Sequence, residues 1–387
     1  MEGSRGIVTK IPFLCVRPCL CVFLGYVLER VTVPSALTRT TSLVRCPPRD
    51  GSNHSRRYVR PARRACHMQN MHAFVPATAT LLNVADSREI SQTNLLYVKV
   101  PKAASSTTGG VARRIAAHHG LSGYTTKSWI TSEPGLWANH GELHRLRWSI
   151  ARLRLPSFLF SVVREPAARC LSEFYHFNVS RGGRAPSVAA KINFMSLSET
   201  CRDFQFNYLR RDINVTSVVN VLSAYDMVGV AERYDEAMVT LLLALRGVRL
   251  PDLLFISSKN SSEERRDDTG QVMRSHPPLE DEPLEVRQFA QGAFREFNQR
   301  DYSLWGAAMH WQATIADSWP RFAKELATFR RMQERVAREC AIGEQLVSLK
   351  SAVKCYWNDN GCNYACLDGL RWTQCELGHK CVGMNSS

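Results

Sequence analysis

The clearest structural pattern in the chain is Leu95-Leu96-Tyr97-Val98-Lys99-Val100, followed by Pro101-Lys102-Ala103-Ala104-Ser105-Ser106-Thr107. The apolar run predicts a buried strand. The small and hydroxyl residues after it predict a turn into a helix that continues to His119. Free backbone N–H groups and the helix dipole make such a turn an anion-binding place. Lys102 would add a positive charge there, although an ordinary helix start is an alternative reading of the turn.

Other apolar runs extend this pattern to a whole domain. They predict strands at Phe158–Val163, Met227–Ala231 and Leu253–Ser257, with a helix at Tyr234–Leu245 between the last two. From 285 to 344 the pattern is mostly helical, with an interruption at Pro320. Strands that alternate with helices predict an α/β fold with a mainly parallel central sheet flanked by helices. The helical stretch is then a C-terminal extension, and a cysteine-rich tail closes the chain.

A second segment carries groups that suit a phosphate. It reads Arg164-Glu165-Pro166-Ala167-Ala168-Arg169-Cys170-Leu171-Ser172-Glu173-Phe174-Tyr175 and follows the second predicted strand. Pro166 fits the first turn of a helix. Arg169 and Ser172 are three residues apart, so on a helix they share a face. A forked guanidinium beside a hydroxyl is good chemistry for binding a phosphate.

Together, the two segments resemble the Golgi carbohydrate sulfotransferases, nearest to the heparan sulfate 2-O-sulfotransferase and galactose-3-O-sulfotransferase group. The second segment matches the pattern R-[DE]-P-x-x-R-x-x-S-x-[FY] of that family at every fixed position. The stretches 204–209 and 228–236 are also similar to the family. The resemblance covers about 94–259 and implies a P-loop-like α/β fold.

The resemblance also implies a donor and roles for the residues that match. The donor is PAPS (3′-phosphoadenosine-5′-phosphosulfate), and no metal is expected. Lys102 would contact the transferring sulfuryl group and the leaving oxygen. The 5′-phosphate would be held by the loop that contains Ala103, Ser105, Ser106 and Thr107. The 3′-phosphate would be held by Arg164 and Ser172, with Arg169 beside them.

A general base is expected between the two segments, where family members place a His or a nearby Glu. This interval contains Asn139-His140-Gly141-Glu142-Leu143-His144. We predict His140 as the base, because an unperturbed imidazole pKa near 6.5 suits proton abstraction and Gly141 lets a substrate approach closely. Glu142 and His144 are open alternatives, and so is a purely structural role. His118 and His119 are predicted to cap the first helix at its C-terminus.

Composition indicates the compartment and the partners. The formal net charge of +15 indicates an acidic partner. Six of the thirteen cysteines follow residue 339, and their spacing favours disulfides in an oxidising lumen over zinc. Sequons for N-glycosylation at Asn53, Asn178, Asn214, Asn260 and Asn385 agree with a secretory route. The resemblance implies a glycan acceptor, the positive charge favours an acidic glycan, and the sequons and cysteines argue against a nucleic-acid partner.

The N-terminal part predicts how the chain reaches that compartment. Arg5 and Lys10 precede an apolar run from Ile11 to Leu28, which is close to the ~20 residues that span a bilayer. We predict an uncleaved anchor and a single-pass type II protein of the Golgi membrane, with a cleaved signal peptide as the alternative. The predicted organisation is 1–29 tail and anchor, 30–93 basic stem, 94–340 catalytic domain and 341–387 disulfide-bonded tail.

Two other functional classes compete with the sulfotransferase hypothesis. A P-loop kinase should show G-x-x-x-x-G-K-[ST], which the loop after the first strand lacks. A non-catalytic glycan-binding protein on a sulfotransferase fold should have lost the phosphate-binding residues. Lys102, Arg164 and Ser172 are present, which favours an enzyme.

Overall fold

The computed structural model describes residues 87–122, 134–141, 156–256, 264–266, 272–340, 364–373 and 376–378. The strands in this part of the chain are β1 (Arg88–Glu89), β2 (Asn94–Val98), β3 (Leu136–Asn139), β4 (Ser157–Val163), β5 (Met227–Val230), β6 (Leu245–Arg246), β7 (Arg265–Arg266) and β8 (Val272–Met273). The predicted anchor, the predicted stem up to residue 86 and most of the tail lie outside the described residues, whereas residues 87–93 at the end of the predicted stem are described and include β1.

Most of the other elements of the described part are helices. They are α1 (Ser105–His118), α2 (Pro166–Phe174), α3 (Val188–Leu197), α4 (Phe204–Leu209), α5 (Val218–Leu222), α6 (Tyr234–Ala244), α7 (Leu250–Leu253), α8 (Leu284–Gln291), α9 (Ala293–Phe297), α10 (Gln299–Ser318), α11 (Phe322–Glu339) and α12 (Tyr364–Gly369). A π-helix at Tyr175–Arg181 continues α2. No helix of the described part is long and apolar enough to cross a membrane.

The central sheet has four parallel strands in the order β3-β2-β4-β5. Because neighbouring strands are parallel, the chain must return to the same end of the sheet before each new strand begins. The carboxyl ends of all four strands therefore lie along one edge. The predicted α/β fold with a parallel sheet flanked by helices is confirmed.

Both faces of the sheet are covered. Tyr97 and Phe160 stack at 4.8 Å on the face that packs against α1, α6 and α11. Leu96 and Val98 point to the other face and pack with side chains of α4 and α10. Burying one such side chain stabilises the fold by about 1.5–3 kcal/mol relative to leaving it exposed. Burial on both faces explains why these strands are continuous apolar runs rather than alternating ones.

Most predicted elements are found, and one is wrong. The strands predicted at 95–100, 158–163 and 227–231, the helix at 234–245 and the break at Pro320 agree with the structure within a few residues. The helical stretch predicted at 285–344 agrees over its described part, which ends at 340. The strand predicted at Leu253–Ser257 is not found in its described part, because Leu253 ends the short helix α7 and 254–256 are irregular. Pro251 lacks the N–H that a sheet needs and suits a first helical turn, which Asp252 caps by accepting the Arg249 N–H at 2.8 Å.

Two disulfides connect elements of the described part. Cys340 at the end of α11 is bonded to Cys366 in α12, which confirms an oxidised tail at these two positions. The 26-residue separation corresponds to a stabilisation of about 3–4 kcal/mol. Cys170 in α2 is bonded to Cys201, a pairing that the sequence analysis did not predict. The other four tail cysteines lie outside the described residues.

His118 and His119 end α1 as predicted, but their side chains do more than cap the helix. Nδ1 of His118 lies 2.9 Å from a carboxylate oxygen of the buried Asp252, and Nε2 of His119 lies 3.3 Å from the other oxygen. Burial raises the pKa of Asp252, but hydrogen bonds from His118 and Arg249 outweigh it and lower the pKa. The two histidines thus fasten α7 to the end of α1.

Candidate functional site

The candidate site lies along the carboxyl edge of the central sheet. The chain leaves β2 into the phosphate loop (residues 101–107), leaves β3 at His140 and leaves β4 at Arg164. Parallel α/β sheets bind ligands at this edge, because the connections there are free to vary. The edge therefore brings together the three regions that the sequence analysis selected separately.

The phosphate loop has an unusual backbone that suits an anion. Lys102 has φ 65° and Ala104 has φ 54°, both in the left-handed region. For residues with a Cβ this conformation costs about 1–2 kcal/mol each, so the surrounding fold must hold it in place. Turns of this kind point successive N–H groups into a concave surface that binds anions. Such a surface is placed here at the N-terminus of α1, where the helix dipole adds to it.

Side chains of the loop lie at different depths. Ser105 and Ser106 are buried in the first turn of α1, and Thr107 is half-buried. No side chain of the described part caps this helix start. Ala103 is fully buried and turns its N–H to the Val100 carbonyl at 3.4 Å. It therefore shapes the turn, and the contact of Ala103 with the donor stays a prediction.

Arg164 reaches from the end of β4 to the phosphate loop. Its Nη1 donates to the Lys102 carbonyl at 3.4 Å. Burial lowers the pKa of the Arg164 guanidinium, and the carboxylates of Glu232 and Glu165 oppose that shift. A cation with few water contacts attracts an anionic ligand more strongly than an exposed one does, because the local dielectric is lower. Arg164 is thus a strong candidate for binding a phosphate group.

Glu165 fixes the start of the second helix. One carboxylate oxygen accepts the Ala168 N–H at 2.5 Å as an N-cap, and the other accepts the Tyr302 hydroxyl at 2.6 Å. Pro166 occupies the first turn, as predicted. Burial raises the pKa of Glu165. The Arg-Glu-Pro sequence therefore orients α2 rather than serving only the ligand.

Arg169 is buried on α2 and makes contacts within the protein. It donates to Glu173 at 2.7 Å and to the Thr200 carbonyl, and it lies over the Phe204 ring. These contacts give Arg169 a structural role, and its contact with the donor stays a prediction. Ser172 is buried on α2 and stays a candidate for the phosphate.

His140 lies at the end of β3, beside β2. Its Nδ1 is 2.9 Å from the Lys99 carbonyl, three residues before Lys102. Since a carbonyl oxygen only accepts, Nδ1 carries the hydrogen, and in the neutral imidazole Nε2 carries the lone pair. The ring is exposed, and this tautomer suits a proton acceptor at Nε2. Glu142 and His144 lie outside the described residues and stay predictions.

The comparison with known families adds independent support to this arrangement. A model of the sulfotransferase family matches residues 90–306, more than half of the chain. The chain belongs to the sulfotransferase family. The match includes the phosphate loop, His140 and the whole second segment. No curated protein and no solved structure gives a significant match. The family is therefore established, while the nearer group of glycan-specific members stays a prediction.

Several site residues of this sulfotransferase were missed by the sequence analysis. Gln205 and Tyr208 of α4 hydrogen-bond to the backbone of Arg164 and Gly141. The similarity of 204–209 to the family drew attention to the stretch but not to these contacts. His276 stacks on Tyr175 at 4.7 Å. No pattern in the sequence pointed to it.

His276 also lies within electrostatic reach of the candidate site. Burial lowers its pKa, a contact with the Pro277 carbonyl opposes that shift, and the charges of Arg164 and Lys102 lower the pKa further. The segment that carries it is held by the Arg274 N–H, which donates to Ser180 at 3.0 Å. Within the described residues of the sulfotransferase, no group of three or more His, Cys, Asp or Glu side chains could hold a metal ion.

Asp301 should give the sulfotransferase a measurable pH dependence of stability. Burial raises the pKa of this carboxyl from 3.8 to about 6. Because the folded state binds the proton more tightly, the contribution of Asp301 to stability is fully present below pH ~4 and is lost as pH rises through ~6. Relative to Asp301→Asn, the wild type should gain about 1 kcal/mol of unfolding free energy between pH 7 and pH 5.

Urea unfolding at the two pH values measures this difference. Other titrating groups cancel because they are shared by both proteins. Asp281→Asn, an exposed substitution, is the control and should show no such gain. An equal pH dependence for wild type and Asp301→Asn would contradict the raised pKa.

Proposed function

We propose that this sulfotransferase moves a sulfuryl group from PAPS to a hydroxyl of a glycan and releases PAP (adenosine 3′,5′-bisphosphate). The contact of Arg164 with the Lys102 carbonyl carries the proposal, because it joins two anion-binding elements. One is the helix start after β2, and the other is the half-buried cation of Arg164 after β4. PAPS carries a 5′-phosphosulfate and a separate 3′-phosphate, so it requires two such elements.

The residues of the site suggest how the transfer proceeds. The N–H groups and hydroxyls of the phosphate loop would hold the 5′-phosphosulfate, and Arg164 with Ser172 would hold the 3′-phosphate. The acceptor hydroxyl oxygen forms a bond to sulfur while the bond from sulfur to the phosphate oxygen breaks. Lys102 would stabilise the negative charge that develops on the leaving phosphate oxygen. His140 Nε2 would take the proton of the acceptor hydroxyl.

A glycan acceptor in the secretory pathway is supported by features away from the site. Both disulfides of the described part need an oxidising compartment to form and persist. Asn214 of one sequon is exposed, as a glycosylated asparagine must be. The net charge of +15 favours an acidic glycan. We therefore propose a lumenal catalytic domain in the Golgi, anchored as a type II membrane protein through the N-terminal apolar run.

Nucleotide binding provides the first test. PAP should raise the melting temperature of the sulfotransferase, since it binds the folded state only. ADP should raise it much less, because it lacks the 3′-phosphate. Arg164→Ala should weaken PAP binding by about 10- to 150-fold, which corresponds to losing a charged hydrogen bond of about 1.5–3 kcal/mol. The exposed Arg246→Ala, on β6, is the matched control and should bind PAP as the wild type does.

Equal stabilisation by PAP and ADP would contradict a PAPS site. Transfer is then tested by incubating the protein with labelled PAPS and a panel of acidic and neutral glycans. Transfer of the label to a glycan would support the proposed sulfotransferase activity. PAP binding with no transfer to any glycan would favour the non-catalytic alternative.

A further inference from the structure

We infer that the short helix α4 positions both halves of the active site, with Gln205 orienting the donor-binding Arg164 and Tyr208 orienting the segment that carries His140. This inference rests on the proposed function, since it assigns roles to residues that act through Arg164 and His140. Neither Gln205 nor Tyr208 is proposed to touch the reacting atoms, so both are positioning residues.

Gln205 holds the Arg164 backbone by two hydrogen bonds. The Arg164 N–H donates to Gln205 Oε1 at 2.9 Å, and Gln205 Nε2 donates to the Arg164 carbonyl at 2.7 Å. The Gln205 side chain is fully buried, so water does not compete for these bonds. The two contacts hold the peptide groups on both sides of the Arg164 Cα and so fix the backbone at this residue. The direction in which the guanidinium leaves β4 is thereby determined.

Tyr208 lies one helical turn further along α4 and reaches a different strand. Its hydroxyl accepts the Gly141 N–H at 2.6 Å. Gly141 follows His140 directly, and His140 is held on its other side by the contact of Nδ1 with the Lys99 carbonyl. The contact of Nδ1 holds the ring, and the contact of Tyr208 holds the peptide that follows His140. Loss of the Tyr208 hydroxyl would remove the second of these contacts.

The start of α4 is itself anchored by two carboxylates. Asp301 accepts the N–H groups of Gln205 at 3.1 Å and Phe206 at 2.7 Å. Asp203, with φ 43°, accepts the N–H of Asp301 at 3.1 Å. Both carboxylates connect α4 with the start of α10. This anchoring keeps Gln205 and Tyr208 at a fixed spacing, so the helix ties β3 and β4 together at the edge where the donor binds.

The inference predicts that two substitutions on one helix affect different kinetic constants. Gln205→Ala should raise KM for PAPS and weaken PAP binding by roughly 5- to 30-fold, because two buried hydrogen bonds are lost. Tyr208→Phe should leave PAP binding unchanged and lower kcat by about 10-fold, because a misplaced base is less effective. A purely structural role would lower stability without separating KM from kcat.

The chain offers a matched control for each substitution. Gln333 holds the Phe255 backbone by the same two bonds, at 3.1 and 2.8 Å, so Gln333→Ala removes an equivalent contact elsewhere. The Tyr225 hydroxyl donates to the Leu209 carbonyl at the end of α4, so Tyr225→Phe removes a buried hydrogen bond to the same helix. Both controls should keep the wild-type KM and kcat. Gln205→Glu, which retains the acceptor for the Arg164 N–H, should recover part of the PAP affinity.

The measurements are calorimetric PAP binding, and KM and kcat with the glycan that the wild type sulfates. The separation of effects between Gln205→Ala and Tyr208→Phe supports the inference. Equal changes in PAP affinity for both variants, or equal effects of the variants and their controls, would overturn it while leaving the proposed function intact. A wild type that binds no PAP would overturn the proposed function and this inference with it.

Discussion

Replacing His140 with alanine is expected to lower turnover by about 10²–10⁴ while PAP binding is unchanged. The acceptor hydroxyl must lose its proton as it attacks, and a positioned base supplies a factor of this size. The contact of His140 Nδ1 with the Lys99 carbonyl leaves Nε2 as the proton acceptor. The same contact places the ring next to the strand that leads into Lys102. Loss of the ring removes the acceptor without disturbing the phosphate loop.

Three further variants make this result decisive. His310→Ala, an exposed substitution on α10, controls for the loss of any histidine and should be fully active. His144→Ala should be much milder than His140→Ala. If Glu142→Gln is inactive and His140→Ala is active, the carboxylate is the base. If neither substitution lowers turnover, the base comes from another part of the chain.

Lys102→Ala is expected to lower turnover by about 10²–10³ and to weaken PAP binding far less, by about 10-fold or less. The charge of Lys102 is most useful on the phosphate oxygen that becomes negative as the bond to sulfur breaks. PAP, the product, lacks the sulfuryl group and so does not report this interaction. The difference between the two losses therefore measures stabilisation of the transition state.

Alanine is a suitable replacement for Lys102 because of the left-handed backbone at this position. Alanine keeps a Cβ at φ 65°, so it preserves the backbone requirement and removes only the charged chain. Lys324→Ala, an exposed substitution on α11, is the control for loss of one lysine and should not change turnover. Equal losses in turnover and PAP affinity for Lys102→Ala would show that Lys102 is only a binding residue.

Sequence patterns were sufficient to predict those parts of the site that depend on residues close together in the chain. An apolar run, a turn of small residues and a helix pattern placed Lys102 at the start of α1. Another run ending at Arg164 placed that residue at the end of β4. Each of these arrangements is set by residues within a few positions of each other, so periodicity and turn chemistry are enough to predict them. Parallel pairing of the two strands then brought both residues to one edge.

Local patterns do not show which part of the protein a side chain will contact. Arg169 and Ser172 share a face of α2, as their spacing predicts, yet the guanidinium turns to Glu173 and Thr200. The run that follows Pro251 is apolar because Leu253 and Leu254 are buried, not because they form a strand. Helical spacing tells which residues share a face, but it does not tell which element that face meets.

The sequence by itself determined the parallel α/β fold and selected two candidate phosphate-binding segments and a candidate base, because each depends on short-range periodicity, turn chemistry and residue type. Only the tertiary structure decided what holds them in place. Gln205 meets Arg164 across 41 positions, and Tyr208 meets Gly141 across 67. Such contacts follow from the order of strands in the sheet and from packing against α10. The burial that stabilises this packing depends on residues that are far apart in the sequence. No window of sequence contains that information.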